Sequence, residues 1–199
     1  ENTQIKALAF GGFERTYQSW FGIDETTLKT NRSYNPAGEN YDSDGNVIGF
    51  YEDQVDNYNQ DHYQLHWEQG INAYWSLALG LNYTYGRGYY QELNDIWYDQ
   101  NIGFSGNTSA NYLQLPQTDA VDTENITQKW LDNDFYVANL MAAFEKGTQK
   151  LNLGFSYSNY LGDHFGTLIW AQNAGGALPN HRFYENKGEK KDTNVFAKL

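Results

Sequence analysis

Residues 77–85, LALGLNYTY, decide the fold, because every second side chain is large and apolar or aromatic. The residues between them are Ala, Gly, Asn and Thr, which are small or polar. Side chains of a β-strand point alternately to opposite faces, so this stretch predicts a strand with one apolar face. The same alternation recurs at residues 151–158 (LNLGFSYS) and 62–71 (HYQLHWEQGI). An apolar band opposite a small or polar interior is typical of a transmembrane β-barrel.

Composition excludes several other classes of protein. No run of the sequence approaches the ~18 apolar residues of a transmembrane helix. The mean hydropathy of -0.76 does not argue against a barrel, because only alternate residues of its strands face lipid. The chain has no cysteine, and therefore no disulfide or thiolate chemistry. A net charge of -12 argues against a nucleic-acid partner, since phosphates need a positive surface.

Six strands with unequal connections are expected. The predicted strands are residues 3–18, 58–71, 75–90, 127–146, 150–168 and 189–199. The connections at 72–73 and 147–149 are short, whereas those at 19–57, 91–126 and 169–188 are long. Short periplasmic turns and long extracellular loops are expected of an outer-membrane barrel.

The predicted strands are too few for a complete barrel. Single-chain barrels begin at about eight strands. The start of the chain has no secretory signal, and residues 192–199 (DTNVFAKL) begin an alternating segment that then stops. We therefore expect residues 1–199 to be a partial barrel domain from a larger wall.

The long connections are acidic. Between residues 17 and 61 the basic residues are Lys29 and Arg32, and the acidic ones are Asp24, Glu25, Glu39, Asp42, Asp44, Glu52, Asp53, Asp56 and Asp61. Acidic side chains keep exposed loops solvated. They also suit divalent cations shared with lipopolysaccharide phosphates, or a neutral or cationic ligand.

Two patterns resemble metal sites but fit other roles better. Residues 41–53 (YDSDGNVIGFYED) have acidic or amide groups at positions 1, 3 and 5 of a calcium loop that starts at residue 42, but they lack its Gly at position 6 and Glu at position 12. Asp44-Gly45 is instead a strong hairpin signal. His62 and His66 would lie about 13 Å apart on a strand, so they are interpreted as lumen lining.

Enzyme motifs are weak. The sequence has no G-x-x-x-x-G-K loop, no G-x-S-x-G elbow and no H-E-x-x-H pair. The enzyme alternative is a jelly-roll glycoside hydrolase that uses Glu68 and Glu145. A secreted or surface carbohydrate-binding module is the other alternative. The loop pattern favours a non-enzymatic barrel, for which no catalytic residue, metal ligand or cofactor is assigned.

Five co-linear segments carry a resemblance to a known family. They are residues 14–20 (ERTYQSW), 60–67 (QDHYQLHW), 81–90 (LNYTYGRGYY), 128–136 (QKWLDNDFY) and 162–170 (GDHFGTLIW). Together they resemble the barrel of TonB-dependent outer-membrane receptors, especially those of Bacteroidetes. The resemblance runs along nearly the whole chain and keeps the order of strands and loops.

The resemblance implies an all-β, antiparallel, 22-stranded barrel in the bacterial outer membrane, closed by a plug domain. Such receptors import a scarce ligand when TonB acts on the plug, and neither the plug nor a TonB box is found in this chain. The implied cargo is a ferric siderophore or other iron complex, with haem, cobalamin and glycans as further cargo of the family. Implied partners are outer-membrane lipid, lipopolysaccharide, the small-molecule ligand and TonB through the plug.

Candidate ligand contacts lie where strands meet long loops. The aromatic candidates are Tyr17, Trp20, Tyr89, Tyr90, Trp97, Trp170 and Tyr184. Aromatic rings stack on catechols or porphyrins, and they also girdle membranes or pack loops. Arg15 and Arg87 would attract an anionic chelate or lipopolysaccharide phosphate.

Overall fold

The computed structural model describes residues 2–97, 108–117 and 122–199 and contains eight strands and two short helices within them. The strands are β1 (Thr3–Tyr17), β2 (Glu39–Tyr41), β3 (Val47–Phe50), β4 (Val55–Gly70), β5 (Trp75–Asn94), β6 (Asn125–Lys146), β7 (Gln149–Ala171) and β8 (His181–Lys198). The helices are α1 (Glu25–Thr30) and α2 (Ser109–Tyr112). No helix in the described ranges is long and apolar enough to cross a membrane.

Six long strands form one antiparallel sheet in the order β1-β4-β5-β6-β7-β8. Each long strand pairs with the next one along the chain, so the connections alternate between the two ends of the sheet. We call the end with the 18–54, 95–124 and 172–180 connections the loop end, and the other the turn end. The all-β class, the six strands and the alternation of long and short connections are confirmed. β1 and β8 are the edge strands, and they do not pair with each other in the described part of the chain.

The last strand begins earlier than predicted. β8 starts at His181 rather than at residue 189, so the last long connection covers residues 172–180 only. Residues 181–191 (HRFYENKGEKK) are rich in charge, and this composition resembles a loop. Their backbone nevertheless pairs with β7 from Asn159 to Leu168. Pairing with a long neighbour decides the structure here, because β-propensity depends strongly on context.

One face of the sheet is apolar toward the turn end. The register aligns every second residue of the six strands in cross-strand rows on this apolar face. One row is Ile5, Trp67, Leu79, Leu140, Phe155 and Val195, and the next is Ala7, Leu65, Leu81, Ala138, Tyr157 and Thr193. These side chains are open to the surroundings, with Ile5 68% and Val195 77% exposed.

The opposite, polar face carries mostly small, amide, imidazole and charged side chains. One of its rows is Lys6, His66, Gly80, Asn139, Ser156 and Asn194. The exposed apolar exceptions on this face are Phe10, Leu131, Phe135, Met141 and Phe196. The predicted alternation in β4, β5 and β7 is therefore confirmed.

Aromatic side chains bound the apolar band at both ends. Tyr63, Tyr83 and Tyr136 form the tyrosine row, with ring centroids 5.9 and 4.9 Å apart. At the turn end, Phe144 contacts Trp75 at 5.0 Å and Tyr74 at 6.3 Å. Residues 75–83 connect the two boundaries within β5, and nine residues of strand extend about 27 Å.

The same face becomes charged beyond the tyrosine row. We call this zone the collar, and it contains Asp61, Arg87, Asp132, Asp134, Asp163, Lys187 and Glu189. Arg87 pairs with Asp132 at 3.5 Å, and Lys187 pairs with Asp163 at 3.6 Å. The strands thus continue from an apolar zone into a charged one without changing register.

The loop end contains the main buried core of the described residues. Ala110, Leu113 and Leu115 from the second long connection pack with Leu168 of β7 and Phe183 of β8. Phe183 is 1% exposed and Leu113 is fully buried. The second and third long connections therefore pack against the sheet at its loop end.

The first long connection is fixed by buried amides. The side chain of Gln18 donates to the carbonyl oxygen of Gln91 at 2.9 Å, and that of Gln54 accepts from the Leu93 amide at 2.9 Å. Both glutamines are almost fully buried. Buried amides need such partners, so these contacts tie the connection to β5.

Candidate functional site at the loop end

Six polar and aromatic side chains meet on the polar face beneath the long connections. This loop-end cluster consists of Trp20, Tyr90, Glu92, Tyr112, Lys129 and Tyr184. The register places Tyr90 opposite Lys129, and Gly166 lies between Lys129 and Tyr184 in the same row. Trp20 comes from the first long connection and Tyr112 from α2 in the second. Five separate segments of the chain therefore converge here.

The centre of the cluster is an ion pair. Lys129 Nζ lies 2.9 Å from a Glu92 carboxylate oxygen, and the side chains are only 21% and 14% exposed. The ammonium also lies 5.2 Å from the centre of the Tyr90 ring. Burial acts against the charged ammonium, but the Glu92 carboxylate outweighs it and raises the pKa of Lys129. Lys129 therefore stays charged, with its charge balanced by Glu92.

Aromatic rings surround this ion pair. Trp20 meets Tyr90 edge to face at 5.3 Å, and Tyr184 contacts Phe183 of the buried core at 5.1 Å. Tyr112 also packs on Phe183, at 5.4 Å. Burial raises the pKa of Tyr90 and of Tyr184, so both phenols are neutral donors at physiological pH. Trp20 remains 53% exposed, which leaves one indole surface available for stacking.

This arrangement suits a ligand with flat or apolar rings and modest charge. The Lys129 ammonium is already matched by a carboxylate, so it offers less attraction to an anion than an unpaired lysine would. The phenol hydroxyls and the indole supply directional donors beside apolar surface. The cluster is therefore a candidate binding site.

Three of the nine predicted contact residues, Trp20, Tyr90 and Tyr184, meet in this cluster. Arg15, Arg87 and Tyr89 lie instead on the apolar-face side, above the tyrosine row. Arg15 forms an ion pair with Asp53. Arg87 lies 5.3 Å from the Trp130 ring, which also contacts Tyr89 at 4.6 Å.

The remaining predicted residues, Tyr17, Trp97 and Trp170, lie apart from the cluster. The Tyr17 hydroxyl donates toward the carbonyl oxygens of Ala37 at 2.8 Å and Tyr51 at 3.0 Å, which tethers the first connection. Trp97 stacks on Tyr41 at 5.0 Å. Trp170 lies opposite Ile126 near the end of β7 and is 45% exposed.

Sequence reasoning missed Glu92, Tyr112 and Lys129. Glu92 and Tyr112 fall in the segment that was predicted to be a loop, and nothing in the local sequence pairs Glu92 with Lys129. The usable signal was Lys129 itself, a lysine on the polar face of a predicted strand. Finding its partner requires the register of β5 on β6, which the local pattern does not define.

The hairpin predicted at residues 41–53 is confirmed as β2 and β3. The Asp42 carboxylate accepts from the amides of Asp44 at 2.9 Å and Asn46 at 2.8 Å. These bonds lower the pKa of Asp42, with the Asn46 amide as the main cause. In the described ranges no group of three or more His, Asp or Glu side chains is arranged to hold a metal ion.

The two candidate carboxylates of the hydrolase alternative are far apart. Glu68 shares a row with Met141, whereas Glu145 lies four residues further along β6. With two strand spacings between β4 and β6, their α-carbons are about 16 Å apart. Glu145 also pairs with Lys150 of β7 at 2.8 Å, away from β4. Retaining glycosidases hold their carboxylates ~5 to 5.5 Å apart, which these two residues do not match.

Comparisons with known proteins do not assign a family. No family model matches the chain, and neither the curated proteins nor the solved structures contain a significant match.

Proposed function

We propose that this chain is part of the wall of an outer-membrane β-barrel, in a TonB-dependent receptor that imports a scarce ligand. The sheet would be completed by further strands at the open edges of β1 and β8. Its polar face would line the lumen, and the loop end would be extracellular. A plug domain outside this chain would couple the receptor to TonB.

The observation that carries the proposal is the apolar band with an aromatic boundary at each end. From one boundary to the other, β5 spans nine residues, Trp75 to Tyr83, and a membrane-spanning strand needs about 9 to 11. Outer-membrane barrels have such a band, with aromatic girdles at both interfaces. In a soluble protein, nothing would stabilise a sheet that exposes rows of Leu, Ile, Val and Phe across six strands and becomes charged on the same face beyond one row.

The receptor class and the cargo rest on the resemblance described above. An iron complex is the leading cargo on that basis, and the loop-end cluster is the proposed first contact. Because Arg15 is paired with Asp53 and Lys129 with Glu92, we expect a neutral chelate to be preferred over a strongly anionic one. Outer-membrane lipid and lipopolysaccharide would contact the band and the collar.

The test uses arginine substitutions in the full-length protein. Leu79 lies midway between Trp75 and Tyr83, and Phe155 lies in the same row. In the proposed orientation both are near the bilayer midplane. Leu79→Arg and Phe155→Arg should each lower the unfolding free energy by ~2 to 4 kcal/mol in lipid vesicles. Asn82→Arg and Ser156→Arg are matched controls on the polar face of the same strands and should cost much less.

Fractionation of the native protein gives a second readout. We expect it to sediment with outer membranes and to resist alkaline and high-salt washing. Release by these washes, together with unchanged stability of both band variants, would refute the membrane proposal. That result would favour the soluble carbohydrate-binding module, and glycan binding would then be measured.

A further inference from the structure

A cleft on the polar face is separate from the loop-end cluster. It lies over β1 and β4, below the level of the long connections, and its volume is about 370 Å³. Its lining includes Phe10, Gly12, Glu14, Tyr58, Gln60 and His62. None of these residues was predicted as a ligand contact.

The floor of the cleft is open at Gly12. A Cβ atom at this position would meet nothing within 4 Å, whereas most glycines in the sheet are covered by a neighbouring side chain. Gly12 lies opposite Gln60, between the Phe10–His62 and Glu14–Tyr58 pairs of the register. The backbone at Gly12 is therefore accessible, with the Phe10–His62 ring pair on one side and the Glu14 carboxylate on the other.

Aromatic faces form the walls. Phe10 and His62 stack with ring centroids 4.8 Å apart and an interplanar angle of 20°, and Phe10 is 54% exposed. The Tyr58 hydroxyl lies over Gly86, where a Cβ would approach it to 2.0 Å. The Tyr58 ring therefore lies down across the sheet and leaves room above Gly12. The rings of Phe10 and Tyr58 present π faces, which attract cations.

The charge in and near the cleft is negative. Among the described residues, no basic side chain forms an ion pair with Glu14. Asp56 lies close enough that burial and the Glu14 carboxylate together raise its pKa. Glu14 and Asp56 lie on this face of neighbouring strands. Their charge attracts cations to the cleft and repels anions.

We propose that this cleft binds an organic cation, whose ammonium or guanidinium group meets Glu14 and whose apolar body lies between Phe10 and Tyr58. A carboxylate gives the cation a charge-assisted hydrogen bond, and the rings add cation–π attraction. Gln60 Oε1 lies 3.2 Å from His62 Nε2 and keeps a second lone pair as a further acceptor. The inference concerns a second site and does not depend on the identity of the imported cargo.

The experiment measures binding of benzylammonium and of its neutral counterpart, benzyl alcohol, to the full-length protein in detergent. Full-length protein is required because β1 is an edge strand. Saturable binding of benzylammonium should exceed that of benzyl alcohol by about tenfold or more. Glu14→Gln keeps the shape of the side chain, and Gly12→Leu fills the cleft. Each substitution should weaken the binding of benzylammonium by about tenfold.

Two controls separate the cleft from general charge and from folding. Glu52→Gln removes the same charge from an exposed position of the first connection and should leave binding unchanged. Gly49→Leu places the same side chain where a Cβ also meets nothing within 4 Å. Equal binding by wild type, Glu14→Gln and Gly12→Leu would overturn the proposal, as would no saturable binding to folded wild type. Membrane retention tests the barrel independently, so either proposal can fail alone.

Discussion

The two halves of the same six strands differ in what stabilises them. Toward the turn end, Leu65, Leu140 and Phe155 are 41 to 43% exposed on an apolar face that no other described part of the chain covers. Toward the loop end, Leu113 and Phe183 are buried in a core made by the connections. One half therefore depends on its surroundings for apolar burial, and the other supplies its own.

The boundary between the halves is narrow. Tyr83 belongs to the tyrosine row, Tyr85 lies beside Asp61 and Asp134, and Arg87 lies beside Asp132. Over the five residues from Tyr83 to Arg87, one face of β5 thus changes from an apolar to a charged environment. Strand geometry cannot cause this change, because the backbone pairing continues through it. Under the membrane proposal, a change of medium on that face accounts for it, and the two halves should respond differently to substitution.

The largest expected effect is local to the loop end. Phe183→Ala should lower the unfolding free energy by about 3 to 5 kcal/mol, because it leaves a cavity between α2 and β8. Hydrogen exchange should speed up at residues 108–117 and 172–184 and stay unchanged at residues 75–83. Exchange that accelerates equally in both regions would show that the halves unfold as one unit.

The next effect compares ion pairs at the two ends. Lys129→Met leaves Glu92 largely buried without its partner and should cost about 1 to 3 kcal/mol. Adding Glu92→Gln should recover part of this loss, since the unpaired charge is removed. Lys150→Met at the turn end is the control, because Lys150 and Glu145 are both 66% exposed and their pair should contribute under ~1 kcal/mol. Equal losses in thermal unfolding would contradict the difference in burial.

The strand pattern of the apolar half, toward the turn end, could be predicted from the sequence, whereas the structure of the loop end could be predicted only in part. Alternation in residues 77–85 fixes which side chains share a face, because a strand has a period of two. The Asp44-Gly45 turn was equally local, and its hairpin was found. The pairing of Lys129 with Glu92 and the start of β8 at His181 depend on contacts between strands. Local composition does not encode such contacts, so these features were missed.

The predicted contact residues show the same limit of local sequence reasoning. Position at the end of a strand identified Trp20, Tyr90 and Tyr184 as neighbours of a long loop. It did not reveal that Arg87 and Tyr89 lie on the other side of the sheet from Tyr90, although the odd and even positions of β5 already imply it. Applying the alternation to the ends of the strands would have separated the two groups.

A smaller effect is expected in the first connection. Gly45 has φ +83°, and a Cβ there would lie 2.2 Å from Trp97 Cζ2. Gly45→Ala should cost about 1 to 2 kcal/mol from the backbone alone and displace the Trp97 ring. The tryptophan fluorescence spectrum should shift, with no change in exchange at residues 75–83. Gly49→Ala is the control in the same hairpin, since a Cβ at that position has open space.

The smallest effect concerns the collar and tests where the medium changes. Arg87 pairs with Asp132 at side-chain exposures of 50% and 27%, so Arg87→Gln should cost less than ~1 kcal/mol. If the collar is in water, the stability difference between wild type and variant should shrink as salt rises from about 0.01 to 1 M, because the Debye length falls from ~30 to ~3 Å. A difference that is insensitive to salt would mean that Arg87 is shielded from the aqueous phase. The apolar zone would then extend past the tyrosine row, and the boundary between the two halves would have to be moved toward the loop end.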